Sequence, residues 1–219
     1  MKKTVETITY DFDGDLFIDI GANRGLWTTE LYDCYRKILF VEPSSIIQHA
    51  MATVKDPEKK ITYYKYIVSH RAGQYKSLYS PHDETANLGV YNKELYGERL
   101  GITLAEENIE TTCINAFMPL ASPGDKILIK IDTEGSELDI MLGAMEFIQK
   151  LRPLIMMETH FHMYYDQAKY EFMIDTLSRW GYKITEYKNM ALRGSHLEDG
   201  VHTGDQMRDL HYMLVMEPT

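Results

Sequence analysis

The chain has 219 residues, and its 33 acidic residues outnumber its 23 lysines and arginines, giving a formal net charge of −10. With 44% hydrophobic and 26% charged residues, the composition is that of a globular protein and excludes a disordered or fibrous one. An acidic chain with no basic patch repels phosphate backbones, so we expect no nucleic-acid partner. The length favours a single domain over residues 1–219.

Three features of the sequence predict a cytoplasmic protein without a membrane partner. The first residues contain no apolar stretch of the kind found in a secretory signal peptide. A run of about 18 consecutive apolar residues, the length that spans a membrane, occurs nowhere. Two cysteines are too few for a disulfide framework, which favours a reducing compartment.

The first third of the chain alternates apolar runs with amphipathic stretches. The apolar runs predict strands at residues 16–20, 38–41 and 61–68. An amphipathic stretch predicts a helix between the first two strands. A second helix is predicted from Ser44 or Ser45, either of which can cap it, to about Lys55.

The same alternation continues toward the C-terminus. Four further apolar runs predict strands at residues 127–131, 154–157, 182–187 and 212–216. Helices are predicted over residues 136–151, where apolar side chains recur every three or four positions, and over residues 167–180. A polar loop separates the last two strands.

These elements predict an α/β fold. Strands that are apolar along nearly their whole length imply a mostly parallel, seven-stranded, Rossmann-like sheet with helices on both faces. The last two strands, which no helix separates, are the natural place for an antiparallel edge. Residues 80–110 lack clear periodicity, and we expect a loop-and-short-helix insertion there that serves as a lid or substrate-recognition segment.

A glycine-containing segment, DIGANRG at residues 19–25, directly follows the first predicted strand. Gly21 and Gly25 allow a tight turn and close approach to a ligand, and Asn23 tolerates left-handed backbone angles. The spacing is not that of a dinucleotide fingerprint, and no Lys-Ser/Thr follows as in a phosphate-binding loop. Asp19 beside the loop favours a cationic or zwitterionic ligand. The alternative is an ordinary strand-to-helix turn.

Glu42 ends the second predicted strand, about 20 residues further on, where an acid can accept both hydroxyls of a ribose. An acid at the loop together with a ribose-binding acid describes a nucleoside with an amino-acid tail, and this indicates S-adenosylmethionine. The alternative for Glu42 is a solvated acid at a strand end.

Two more strand ends carry acids at the same predicted edge of the sheet. Asp132 follows the strand at 127–131, and it would lie next to the methyl group of such a cofactor or, alternatively, only cap the next helix. Glu158 and His160 end the strand that follows in the chain. Neighbouring strands lie only ~5 Å apart, so these side chains can face Asp132.

Four segments of the chain carry a family resemblance. They are FIDIGANRG at residues 17–25, FVEP at 40–43, LIKIDTEGSELDIMLGA at 128–144 and RPLIMME at 152–158. In order and spacing these segments resemble the FkbM family of S-adenosylmethionine-dependent methyltransferases. The resemblance implies a class I methyltransferase fold.

The resemblance also implies the cofactor contacts. Around the methionine portion it places Asp19, Gly21, Asn23 and Gly25. Glu42 would bind the ribose, and the turn Ser69-His70 lies where the family has a small residue and an acid near the adenine. His70 in place of that acid is a departure from the family pattern. Family members are mostly O-methyltransferases of sugars, polyketides and related compounds, which implies a hydroxylated small molecule or glycan as acceptor.

An alcohol acceptor is weakly acidic and profits from a base within hydrogen-bond reach. Asp132 or His160 is the candidate base, and Glu158 a positioning group. In a variant of this hypothesis, the same three side chains hold Mg²⁺ or Ca²⁺, although histidine is a poor ligand for these ions. We predict no metal site.

Two alternatives belong to other classes of protein. Asp11 and Asp13 imitate the nucleophile loop of haloacid dehalogenase-type phosphatases, although Asp15 replaces the expected hydroxyl residue. A non-catalytic protein that keeps the cofactor fold for binding or assembly is the second alternative, because a fold alone does not guarantee chemistry.

Overall fold

The computed structural model describes residues 13–81, 104–133, 135–159, 167–188 and 212–219. The predictions that concern Asp11, His160 and residues 82–103 lie outside these ranges.

The described residues form ten strands and five α-helices. The strands are β1 (Gly14–Ile20), β2 (Tyr35–Val41), β3 (Ile61–Tyr64), β4 (Ile67–Val68), β5 (Tyr75–Pro81), β6 (Leu104–Thr112), β7 (Ile127–Ile131), β8 (Leu154–Thr159), β9 (Tyr182–Lys188) and β10 (Tyr212–Pro218). The helices are α1 (Leu26–Glu30), α2 (Ile46–Thr53), α3 (Glu137–Leu142), α4 (Met145–Leu151) and α5 (Gln167–Arg179). Two 3-10 helices lie at Tyr32–Cys34 and Ile114–Leu120.

Seven of these strands form the main sheet, in the order β3-β2-β1-β7-β8-β10-β9. Neighbours from β3 to β8 pair in parallel, whereas β10 is antiparallel to both β8 and β9. The predicted mostly parallel sheet with an antiparallel edge is confirmed. The antiparallel strand is β10, which lies between β8 and the edge strand β9. The strand order reverses between β1 and β7, and ligands of open α/β sheets bind outside the carboxyl ends of the strands at such a point.

The central strands are apolar along their length because both faces of the sheet are covered. In β1, Leu16 and Ile18 pack into the core cluster on one face, and Phe17 into the cluster on the other. All three side chains are at most 1% exposed. Burial of each side chain contributes about 1.5–3 kcal/mol to stability.

The predicted third strand, over residues 61–68, is divided between two sheets. Residues 61–64 form β3 in the main sheet, and residues 67–68 form β4, which pairs in parallel with β6. The apolar and aromatic run is continuous in sequence, but the pairing partner changes partway along it. The prediction of one strand is therefore wrong at this point.

The loop-and-short-helix expectation for residues 80–110 is wrong at both ends of the segment. Strands β5 and β6 pair antiparallel, with Pro81 opposite Leu104, and together with β4 they form a separate three-stranded sheet. A small apolar cluster of Ile67, Leu78 and Ile109 holds this sheet together. In β5 and β6 the buried apolar residues are isolated between polar neighbours, so the alternation of apolar and polar residues was too weak to indicate strands.

The helix predicted over residues 136–151 is two helices, α3 and α4, which meet at Gly143. A Cβ atom on Gly143 would lie 2.3 Å from the Ser69 carbonyl oxygen, so only glycine permits this approach. The Gly143 carbonyl in turn accepts a hydrogen bond of 3.1 Å from the Asn115 backbone N–H. Tertiary contacts at this position outweigh the helical periodicity of the sequence.

The helices predicted from Ser44 or Ser45 to about Lys55 and over residues 167–180 agree with α2 and α5 to within about two residues, the usual uncertainty of helix ends. The helix predicted between the first two strands is α1. In the described part of the chain, no helix combines the length and apolar character needed to cross a membrane.

Candidate cofactor site

The loop between β1 and α1 turns through three left-handed residues, with φ of 69° at Gly21, 50° at Asn23 and 82° at Gly25. A Cβ atom on Gly21 would lie 1.8 Å from the Asp132 carbonyl oxygen, and one on Gly25 would lie 2.7 Å from Val54 Cγ2. Gly21 thus brings the loop against the end of β7, whereas Gly25 packs against the core. Both glycines are required by geometry as well as by backbone angle.

The Glu42 carboxylate lies at the end of β2 and is only 7% exposed. Its Oε2 accepts a hydrogen bond of 2.9 Å from the Asn23 backbone N–H. Its Oε1 accepts hydrogen bonds from the Ser44 N–H, at 3.0 Å, and the Ser44 hydroxyl, at 2.6 Å. Burial raises the pKa of Glu42, and the hydrogen bonds to Ser44 and Asn23 oppose this only in part. About four lone-pair sites on a carboxylate leave it capacity for a further donor.

Asp19 lies in the interior of the sheet, fully buried in β1. Its Oδ2 accepts a hydrogen bond of 2.8 Å from the Thr28 hydroxyl. Its Oδ1 lies 3.3 Å from the Nζ of Lys130, which is its neighbour in the parallel register of β1 and β7. Asp19 is paired with these two side chains, and its contact with a ligand stays a prediction.

Lys130 brings the ends of β1 and β7 together. Its Nζ donates a hydrogen bond of 2.9 Å to the Gly21 carbonyl and lies 3.5 Å from Asp132 Oδ2. Burial by itself lowers the pKa of Lys130, but the charges of Asp19, Asp132 and Glu158 outweigh this effect and raise it. The surrounding acids therefore favour the ammonium form of Lys130.

Three of the predicted site acids thus converge at one edge of the sheet. Asp132 keeps 28% of its side chain exposed just beyond β7. Glu158 is at the end of β8, and it is close enough to influence the charge of Lys130. With Asp19, they place three carboxylates around one ammonium group, which leaves the edge negative. The predicted partner His160 lies outside the described residues.

The Ser69-His70 turn follows β4. The Ser69 N–H donates a hydrogen bond of 2.8 Å to the Thr112 carbonyl, and the Ser69 hydroxyl accepts one of 2.9 Å from Lys76. Ser69 is buried, whereas His70 is exposed, with Nδ1 3.4 Å from the Ser69 hydroxyl. The turn is held firmly by its neighbours, and its contact with an adenine stays a prediction.

The loop after β7 is held by a residue whose role the sequence did not reveal. Glu137 is 5% exposed, and its Oε1 accepts hydrogen bonds from the N–H groups of Gly135, at 3.0 Å, and Thr133, at 3.4 Å. The Thr133 hydroxyl is buried without a hydrogen-bond partner in the described part of the chain, and the methyl group of the same side chain lies next to Gly21.

A family model for the methyltransferase FkbM domain matches residues 19–184. The chain belongs to the FkbM methyltransferase family. The match includes every described residue that the sequence predicted for the site. No curated protein sequence matches the chain.

Solved structures show the same fold for this FkbM domain. Methyltransferase FkbM from Methylobacillus flagellatus KT superposes with a TM-score of 0.52 and 16% identity, over 93% of this chain and 44% of that chain. The methyltransferase domain of bacterial CtHen1-CN superposes with a TM-score of 0.51 and 13% identity, over 98% of this chain and 95% of that chain. The FkbM domain therefore has the class I methyltransferase fold, and it spans less than half the length of the first of these structures.

The divalent-cation variant finds no support in the FkbM domain. Within the described ranges, no group of three or more His, Cys, Asp or Glu residues is arranged to hold a metal ion. The Lys130 ammonium also lies between Asp19 and Asp132, where it offsets part of their charge and would repel a metal cation.

The phosphatase alternative does not agree with the position of Asp13, the one of its two acids that lies within the described residues. Asp13 is exposed and precedes β1, at the amino end of the strand and opposite the edge where Asp19 and Gly21 lie. A nucleophilic aspartate of an open α/β sheet belongs at the carboxyl end, where ligands bind.

Lys130 belongs to the segment at residues 128–144 that carries the family resemblance, but the sequence analysis assigned no role to this lysine. The available signal was a single charged residue inside the apolar run ILIKI. A lysine inside a strand that is buried on both faces requires an acidic partner, and its partner became evident only with the register of β1 and β7.

Proposed function

We propose that this FkbM-family chain transfers a methyl group from S-adenosylmethionine to a hydroxyl group of a sugar, glycan or related small molecule. The observation that carries the proposal is the arrangement of acids at the carboxyl ends of neighbouring strands. They are Asp19 of β1, Glu42 after β2, Asp132 after β7 and Glu158 of β8. They surround the reversal of strand order between β1 and β7, where such sheets bind ligands.

The residues present fit this cofactor. Bound there, S-adenosylmethionine would supply an electrophilic methyl group on a sulfonium cation. The surplus of carboxylates over the Lys130 ammonium favours a cationic ligand, and the glycine loop with Asn23 would hold its amino-acid portion. Glu42, with acceptor capacity left on a buried carboxylate, would hold ribose hydroxyls. The Ser69-His70 turn would line the adenine side.

The acceptor side of the proposed site is assigned to Asp132 and Glu158. Asp132 is partly exposed, so its carboxylate can reach an acceptor hydroxyl and take its proton. A positioned base of this kind contributes about 10²–10⁴-fold to a rate. Glu158 would orient the acceptor, and His160 is the alternative base. The hydroxylated acceptor is what the FkbM resemblance implies, and an alcohol of this kind profits from such a base.

We further propose a cytoplasmic location and an acceptor that is not a nucleic acid. Two free cysteines, Cys34 and Cys113, support a reducing compartment. The net charge of −10 supports a small-molecule or glycan acceptor over a nucleic acid.

Isothermal titration calorimetry with S-adenosylmethionine tests the cofactor assignment. We expect wild-type protein to bind, and Glu42→Ala to bind about 10–100-fold more weakly, because hydrogen bonds to a charged group are lost. Glu58→Ala, at an exposed acid, is the matched control and should bind like wild type. Absence of binding at millimolar cofactor would overturn the proposal.

A transfer assay tests the reaction. The protein is incubated with S-adenosylmethionine that carries a trideuterated methyl group and with a panel of hydroxylated glycans and small molecules. Mass spectrometry should show a product that has gained one labelled methyl group. Cofactor binding without transfer to any member of the panel would favour the non-catalytic alternative.

A further inference from the structure

The Lys130 ammonium lies near more oxygen atoms than the single carboxylate that it would need to neutralise Asp19. The residue is 2% exposed, and its Nζ lies within 3.5 Å of four oxygen atoms. They are Asp19 Oδ1 at 3.3 Å, the Ile20 carbonyl at 3.5 Å, the Gly21 carbonyl at 2.9 Å and Asp132 Oδ2 at 3.5 Å. An ammonium group has three N–H donors, so the four acceptors share them.

The shortest of these contacts fixes a peptide of the glycine loop. The Gly21 carbonyl belongs to the same peptide unit as the Ala22 N–H, which donates a hydrogen bond of 3.2 Å to the Val41 carbonyl. The peptide is thus held from both sides, by Lys130 and by the end of β2. Its orientation sets the direction of the chain through Asn23.

The Lys130 ammonium lies near two carboxylates, and of these two only that of Asp132 is reached by solvent. The side chain of Asp132 is 28% exposed and that of Asp19 is 0% exposed. The ammonium therefore limits the positions available to an otherwise accessible carboxylate. A buried ion pair alone contributes little to stability compared with apolar residues of similar size, so stability is a weak reason for a lysine at this position.

We propose that Lys130 is a positioning residue that fixes the glycine loop and the Asp132 carboxylate relative to each other. The cofactor side and the acceptor side of the site are thereby assembled before either ligand binds. The assignment of these two sides rests on the proposed function, whereas the positioning is a property of the ligand-free chain.

A set of variants separates positioning from simple charge compensation of Asp19. They are Asp19→Asn, Lys130→Met, the double variant Asp19→Asn/Lys130→Met, and the control Lys126→Met. Lys130→Met leaves Asp19 buried without a counter-ion and loses stability, and the double variant removes that uncompensated charge. Lys126 is exposed just before the same strand, so its replacement controls for the loss of a lysine.

The first measurement is amide hydrogen exchange in ligand-free protein. The amides of residues 21–25 and 132–133 should exchange at least about tenfold faster in the double variant than in Asp19→Asn, because hydrogen bonds to a charged group are lost. Amides of α5 and β9 should exchange at equal rates in these two variants. Equal exchange in the loops as well would show that Lys130 only compensates Asp19, and would overturn the proposal.

The second measurement is the affinity for S-adenosylmethionine. If wild type binds, the double variant should bind at least about tenfold more weakly than Asp19→Asn, for the same reason. Equal affinities would overturn the proposal, while Lys126→Met should match wild type. If wild type itself does not bind, the proposed function fails, and the exchange experiment still decides whether Lys130 positions the loop.

Discussion

The Asn23 backbone N–H donates a hydrogen bond of 2.9 Å to the Glu42 carboxylate, which joins the loop after β1 to the end of β2. The two residues are 19 positions apart in sequence. Glu42 is therefore both part of the predicted ribose site and a support for the glycine loop. Replacing Glu42 should therefore affect the free energy of unfolding as well as cofactor binding. The effect on stability can be recognised by its dependence on pH.

Glu42 should make stability depend on pH. Burial raises its pKa above the ordinary value of 4.5, so the folded protein binds this proton more tightly than the unfolded chain. The free energy of unfolding should thus fall, through this group, as pH rises from about 4.5 through the folded-state pKa. Urea titrations across this range should show Glu42→Gln gaining stability relative to wild type as pH rises. A difference that does not change with pH would contradict this, and Glu58→Gln is the exposed control.

Gly21 should tolerate no side chain. Its φ is 69°, and a Cβ atom would lie 1.8 Å from the Asp132 carbonyl oxygen. Gly21→Ala should lower the free energy of unfolding by roughly 3 kcal/mol or more, because backbone strain and displacement of the loop add together. Gly73 has a similar φ of 73° with no atom within 4 Å of such a Cβ, so Gly73→Ala should cost only about 1 kcal/mol. Chemical denaturation of both variants tests this, and equal losses would refute the close approach.

Glu137 should stabilise the loop after β7. Glu137→Ala leaves the N–H groups of Gly135 and Thr133 without their acceptor, which should cost about 1–3 kcal/mol. Glu146→Ala is the control, because that exposed acid forms a surface ion pair with Lys150 and its loss should cost less than about 0.5 kcal/mol. Denaturant titration compares the two variants. A smaller loss in Glu137→Ala than in the control would show that the loop does not depend on Glu137.

Asp132 should separate catalysis from cofactor binding. Asp132→Asn keeps the size of the side chain but removes the proposed base, so methyl transfer should fall about 10²–10⁴-fold. Affinity for S-adenosylmethionine should change far less. Once an acceptor is found, the labelled-methyl assay and calorimetry measure these two quantities. Full activity in Asp132→Asn would transfer the role of base to another group, with His160 tested next. Asp125→Asn, in the turn before β7, is the control variant.

The sequence predicted those features that depend on local pattern. Buried parallel strands are apolar along their length, so β1, β2, β7 and β8 were recognisable without knowledge of their partners. A strand end followed directly by glycines at residues 21 and 25 located the loop. Glu42, Asp132 and Glu158 followed from the rule that parallel strands end at the same edge of a sheet.

Features that depend on contacts between distant segments were not predictable. The change of partner between β3 and β4 has no local signal in the run at residues 61–68. The break at Gly143 arises from contact with Ser69, which is 74 positions away, and helical periodicity continues across it. The ion pair of Asp19 and Lys130 required the register of two strands that are separated by more than 100 residues.

The hairpin of β5 and β6 contributes no strand to the seven-stranded sheet and pairs with the rest of the chain through the two residues of β4. Residues 82–103 connect its two strands in sequence. The two sheets are therefore paired independently, so residues of β5 and β6 can be exchanged without altering the strand pairing that brings the acids to one edge of the main sheet.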